Sequence, residues 1–282
     1  MAKFILSAFS DEYSSDFDRQ IEGLKENGIT HMEIRGVNGK NILDLSDSEL
    51  DTVKEKLTLE GITVSSIGSP LGKIQITDPF EPHLEKTRRA IEIAKKLGTR
   101  NIRMFSFYIS DGDLDGHRSE VMRRLSAMAD EADKAGVYLC HENEKGIYGA
   151  NADRCLDIQE EFAGRIKCVF DPGNFIQEKV ETFPYAFELL KDKIYYMHIK
   201  DAVEDGTIVA SGYGIARIKD IIDSLRSREQ TYYLTVEPHL RVFAGLEKLE
   251  TGEHPKVGSA YSSSEEAFGA AVTALKEIVF EK

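Results

Sequence analysis

The sequence lacks several things that would have pointed to a class of function. No apolar stretch approaches the roughly 20 residues needed to span a bilayer, which argues against a membrane protein. No basic run is longer than a pair, or a triplet with a gap, and the net charge is −13. Such a chain repels nucleic acid and anionic membrane surfaces, so neither is expected as a partner. Only three cysteines occur, Cys140, Cys155 and Cys168, and none forms a CxxC pair. The opening "MAKFILSAFSDEYSSD" is too short in its apolar part for a secretory leader and reads as a first strand. Together these features predict buried thiols in a reducing cytosol. There is also no low-complexity segment, no linker and no glycine-rich fingerprint opening the first helix.

What is present is a repeat of shape. "ENGITHMEI", "LEGITVSSI", "KLGTRNIRM" and "KAGVYLCHE" each carry a charged helical lead-in, a glycine and an alternating apolar run. The glycines are Gly28, Gly61, Gly98 and Gly136, spaced by 33, 37 and 38 residues. Glycine after a helix is the usual left-handed stop, and a strand follows. Phe17, Ile21 and Leu24 share one helical face, as do Val121, Leu125, Met128 and Ala132. The pattern predicts strands near 4–9, 31–35, 62–67, 101–107, 137–142, 166–171, 194–199 and 232–237. It predicts helices near 16–27, 46–59, 81–97, 117–135, 152–162, 183–190, 215–227 and 264–279. Eight strand–helix pairs in strict alternation favour an α/β fold of the (β/α)8 TIM barrel type, as a single domain over 1–282. Segment 241–262 is polar with scattered glycine and reads as an extended loop after the eighth strand, a lid or an oligomer contact.

The last four strands read "GVYLCHENE", "IKCVFDPGNF", "IYYMHIKD" and "YYLTVEPHL". Each is apolar and then delivers a metal-capable residue: Glu142, Asp171, His198 and Glu237. Taken singly, each is an ordinary solvated or rim residue. Their recurrence at one phase of successive repeats is what singles them out, because equivalent strand ends of a parallel barrel meet at one mouth. Three carboxylates there repel, at roughly 4 kcal/mol per pair at about 4 Å and an effective dielectric near 20. A divalent cation removes that cost. Three oxygen donors and one imidazole suit Mn2+ first, with Mg2+, Co2+ or Zn2+ as alternatives.

Other residues join the expected mouth. Lys200, two after His198, faces the same side and would hold a substrate oxyanion or pair with Asp201 or Glu144. His239 shares phase with Glu237 and is expected to touch substrate, whereas His141 points toward the helix layer. Asn143 and Asn174 suit hydroxyl recognition or helix capping. Glu33, ending the second strand, and Phe105 or Phe107, ending the fourth, are expected to line the pocket. Gly212 and Gly214 form either a backbone phosphate site or a plain turn.

Through "HENE", "FDPGN", "MHIKD", "GYG" and "VEPH" the chain resembles the xylose isomerase-like superfamily, in particular its sugar phosphate isomerase/epimerase group. The resemblance implies one divalent cation on Glu142, Asp171, His198 and Glu237. It implies a small carbohydrate substrate and a homodimer or homotetramer. It also implies proton transfer through an enediolate, with Glu142 and Glu237 on opposite faces of the substrate as acid and base. Departures occur where ketose 3-epimerases carry Glu, His and Arg: here stand Tyr148, Asn174 and Glu204. They argue against a free ketose 3-epimerase. An inosose dehydratase-like lyase and a non-catalytic sugar-binding relative are the alternatives. An endonuclease IV-like hydrolase lacks its additional His and Asp ligands here.

Overall fold

The computed structural model describes residues 1–241 and 261–280. Its centre is a closed barrel of eight parallel strands, each hydrogen-bonded to its neighbours in sequence order, with the last returning to the first. The strands are β1 (Lys3–Ala8), β2 (His31–Ile34), β3 (Thr63–Ile67), β4 (Asn101–Met104), β5 (Tyr138–Glu142), β6 (Ile166–Phe170), β7 (Ile194–Ile199) and β8 (Thr231–Val236). They are covered on both sides, so their burial is nearly continuous rather than alternating.

The helices between them are α1 (Phe17–Glu26), α2 (Asp47–Glu60), α3 (Glu81–Leu97), α4 (Leu114–Ala135), α5 (Ala152–Phe162), α6 (Pro172–Gln177), α7 (Phe187–Leu190), α8 (Ile218–Leu225) and α9 (Ser264–Phe280). The expected inward faces are buried: Phe17, Ile21 and Leu24 on α1, and Val121, Leu125, Met128 and Ala132 on α4. Gly61, Gly98 and Gly136 end α2, α3 and α4 in the left-handed region, with φ of 69°, 78° and 70°. The N-terminus of α2 is closed by a reciprocal Ser46–Glu49 capping box.

Three elements depart from the sequence reading. β4 stops at Met104 rather than running to 107, because the chain turns there and Phe107 takes a φ of +68°. The helix expected over 183–190 is regular only from Phe187, since Phe183 is extended ahead of Pro184. The short α6 was not foreseen. It begins directly after β6, where Asp171 caps it and Pro172 occupies its first position. Residues 242–260, most of the loop expected after the eighth strand, lie outside the described residues. Among the described residues no helix is long and apolar enough to cross a membrane.

Candidate metal centre

The four strand-end residues meet. Glu142 is the last residue of β5, Asp171 follows β6, His198 is the penultimate residue of β7 and Glu237 follows β8. One ligating atom from each lies within 4.8 Å of those of the other three, and all four residues are buried. His198 Nδ1 faces the acids, 2.9 Å from Glu142 Oε1 and 3.7 Å from Glu237 Oε2. Asp171 Oδ2 is buried and accepts no hydrogen bond; the Lys200 ammonium lies 3.2 Å away as an ion pair. A buried carboxylate oxygen without a donor is costly unless something positive occupies its free direction. Three carboxylates, Asp171 among them, and one imidazole nitrogen fit a hard divalent cation.

The repulsion argued from sequence is nonetheless largely met by the protein itself. Arg103 Nη1, from β4, is 3.2 Å from Glu142 Oε2 and 3.8 Å from Glu237 Oε1. Arg35 Nη1, just beyond β2, is 3.0 Å from Glu237 Oε1, and the same guanidinium grips Asp11 through two bonds and Glu12 through a third. The Phe9 ring lies against both arginines, 4.3 and 4.9 Å from their guanidinium carbons, and meets His198 edge-on. Lys200 bridges Asp171 and Glu237, each at 3.2 Å. Charge balance alone therefore does not demand a metal ion. The convergence of four donor atoms is the better argument.

The same contacts shift the protonation of these groups. Burial raises the Asp171 pKa to about 7, with Lys200 opposing and the Glu142 and Glu237 charges adding. Burial also acts on Glu237, but Lys200, His239, His198 and Arg35 outweigh it and hold that carboxyl well below its ordinary range. Burial disfavours imidazolium at His198, yet the Glu142 and Glu33 carboxylates prevail and push it up to about 10. Glu12, whose Oε2 accepts the His239 backbone N–H at 2.7 Å, is raised to about 8, chiefly by burial.

The remaining expected residues divide. Lys200 and His239 sit at the acid cluster; His239 Nε2 is 3.7 Å from Glu237 Oε1, and its backbone is left-handed at φ +44°. Lys200 pairs with Asp171 and Glu237 rather than with Asp201 or Glu144, the latter being taken by Lys73 at 3.0 Å. His141 bonds Ser106 and not the acids, as its phase predicts.

Asn143 is used differently from a hydroxyl contact: both ends of its amide are bonded to the Asp171 backbone, at 2.8 and 2.9 Å. Asn174 donates to the Asn143 carbonyl at 2.8 Å and to Glu142 Oε1 at 3.3 Å, bracing the ligand set. Glu33 is buried beside His198 and bonded to it. Gly212 and Gly214 have given their N–H groups to Asp201 Oδ2, so the turn reading holds over a phosphate site. Arg35, Arg103 and Glu12 were missed. For the two arginines the signal was a charged residue in or beside an apolar strand run, "MEIRG" or "NIRM", which burial tolerates only with a partner; Glu12, in a turn after β1, carried no such signal.

No curated protein sequence is significantly similar to the chain. Among solved structures, the probable 3-DHS dehydratase AsbF of Bacillus anthracis superposes with a TM-score of 0.74 at 16% identity, over 98% of this chain and 99% of that one. The IolI protein, in a crystal with a bound zinc atom, gives 0.73 at 17% identity, over 98% of each chain. D-psicose 3-epimerase of Clostridium cellulolyticum H10, crystallised with D-tagatose, gives 0.71 at 14% identity, over 98% of this chain and 99% of that one. At such identities these likenesses speak for the fold. A family model described as xylose isomerase-like TIM barrel matches residues 21–260. With that match laid over a closed eight-stranded parallel barrel, the chain belongs to the xylose isomerase-like TIM barrel family.

Proposed function

We propose that the protein is a divalent-metal-dependent isomerase or epimerase that moves a proton on a hydroxy-ketone carbohydrate. The observation that carries this reading is the convergence of Glu142, Asp171, His198 and Glu237, with donor atoms within 4.8 Å of one another. A cation held by these four would polarise a substrate carbonyl and acidify the adjacent C–H. Mn2+ is the ion we assign first, with Mg2+, Co2+ and Zn2+ as alternatives; zinc in the IolI crystal supports a site of this kind.

In this reading Glu142 and Glu237, from β5 and β8, are the proton-transfer carboxylates. Glu237 is held ionised by its cationic neighbours, as a base must be. Lys200 and His239, both at the acid cluster, supply donors for substrate oxygens. Asn143 and Asn174 keep the Glu142 and Asp171 segments in register.

A lyase is the second reading, favoured by Lys200. Its ammonium, 3.2 Å from both Asp171 and Glu237, is a proton donor placed to help a hydroxyl leave as water. The fold likeness to a probable dehydratase points the same way.

One experiment separates the readings. Manganese-loaded protein is incubated in D2O with a panel of ketoses and polyol ketones, and products are followed by mass and NMR. Carbon-bound deuterium with the elements of water retained, abolished by EDTA and by Glu142→Gln or Glu237→Gln, is the expected result. Loss of one water identifies the lyase. Saturable sugar binding with neither change marks a non-catalytic relative.

A further inference from the structure

Beneath the acid cluster lies a fourth carboxylate that the proton-transfer reading leaves unused. Glu33 has a side-chain exposure of 0%. Its oxygens accept three hydrogen bonds: Oε2 from Thr235 Oγ1 at 2.9 Å and from His198 Nε2 at 3.1 Å, and Oε1 from the Tyr196 hydroxyl at 3.1 Å. Burying a carboxylate is expensive even when paired, so a fully buried one with three dedicated donors needs a reason.

The geometry supplies one. His198 has one ring nitrogen toward Glu142 and the other on Glu33. A carboxylate on the far nitrogen keeps the proton there and locks the ring plane, so that Nδ1, which faces Glu142, is the nitrogen that would exchange its proton for a cation. The backbone is shaped to the same end. The β2–β3 register shifts between Met32 and Glu33, and the β6–β7 register shifts where Val169 pairs with Tyr196. Such irregularities re-aim a side chain, and here they fall at both Glu33 and its donor Tyr196. Two donors, Tyr196 and His198, come from β7 and the third, Thr235, from β8; the Arg103 guanidinium of β4 adds a longer-range attraction, and the imidazole is the cationic partner within hydrogen-bond reach.

We propose that Glu33, seated by Tyr196 and Thr235, is the positioning residue that fixes the tautomer and orientation of His198 for cation binding through Nδ1. The proposal rests on reading Glu142, Asp171, His198 and Glu237 as a cation site.

The test uses cobalt as probe. Wild type, Glu33→Gln and Tyr196→Phe are titrated with Co2+ by visible absorption. The 15N shifts of the His198 ring are recorded with Zn2+ bound, and unfolding is measured in EDTA. Glu33→Gln is expected to weaken Co2+ binding by about 10- to 100-fold and to move the Nε2 shift. Tyr196→Phe should weaken it less. Neither loss should scale with metal-free stability. Folded Glu33→Gln with Co2+ affinity within about twofold of wild type, and an unmoved ring spectrum, overturns the assignment. If Glu33→Gln does not fold, Tyr196→Phe decides by the same criterion. A wild type that takes up no Co2+ sinks the cation site and this inference together; wild-type uptake with unaffected variants sinks the inference alone.

Discussion

At Glu142 the nearest guanidinium comes from a neighbouring strand: Arg103 Nη1 stands 3.2 Å away, with the arginine itself buried. Removing one partner of a buried pair strands the other charge, at about 3–5 kcal/mol. Arg103→Met should therefore cost about that much in EDTA, measured by urea unfolding. A loss below about 1 kcal/mol would show that Arg103 is not the counter-charge. Histidine 83 offers a second test, far from the acids. Its Nε2 accepts the Gly72 N–H at 2.7 Å, so the ring is neutral, and burial, aided by Lys86 and Arg124, lowers its pKa to about 4. The unfolded chain, titrating near 6.5, binds more protons between these values. The stabilisation is thus complete above pH 6.5 and is lost as pH falls toward 4. Wild type should lose about 2 kcal/mol from this group between pH 7 and pH 5, and His83→Gln should lack that part of the slope.

At the scale of the element, the loop between β7 and α8 is organised by one carboxylate. Asp201 accepts four backbone N–H groups: Ala202 and Ala216 on Oδ1, Gly212 and Gly214 on Oδ2, at 2.8–3.1 Å. The loop has no helix or sheet ladder of its own over 210–217, so this side chain replaces one. Asp201→Asn keeps a single acceptor oxygen. It should destabilise by about 1–3 kcal/mol and speed amide exchange at two of the four N–H groups, leaving the barrel strands protected. Uniform protection across the loop would contradict the role. The helix stops obey the same local logic. Gly98 and Gly136 occupy left-handed positions that a side chain disfavours by about 1 kcal/mol.

For the whole molecule, a cation that binds the folded chain and not the unfolded one stabilises by mass action. Mn2+ or Zn2+ at a hundredfold excess over its dissociation constant should add about 2.7 kcal/mol to unfolding. EDTA should reverse this, and Asp171→Asn, which removes one carboxylate from the four-residue cluster, should blunt it. An unfolding midpoint indifferent to both ions would remove the basis of the proposed chemistry.

Sequence by itself determined the alternation of eight strands with helices, the glycine stops and the strand-end positions of Glu142, Asp171, His198 and Glu237. These are legible because helix period, left-handed termination and strand phase are local properties, each written within a dozen residues. From them the barrel follows, and with it one mouth for residues distant along the chain. Tertiary structure alone decided who neutralises whom. Arg35 and Arg103 on the acids, Glu33 beneath His198, Asn143 bound to the Asp171 backbone and Asp201 in place of a phosphate are all cross-strand or loop contacts. A charged side chain in an apolar strand announces that it needs a partner. Which partner it finds depends on strand register and on where two strands slip by one residue, and no local pattern carries that information.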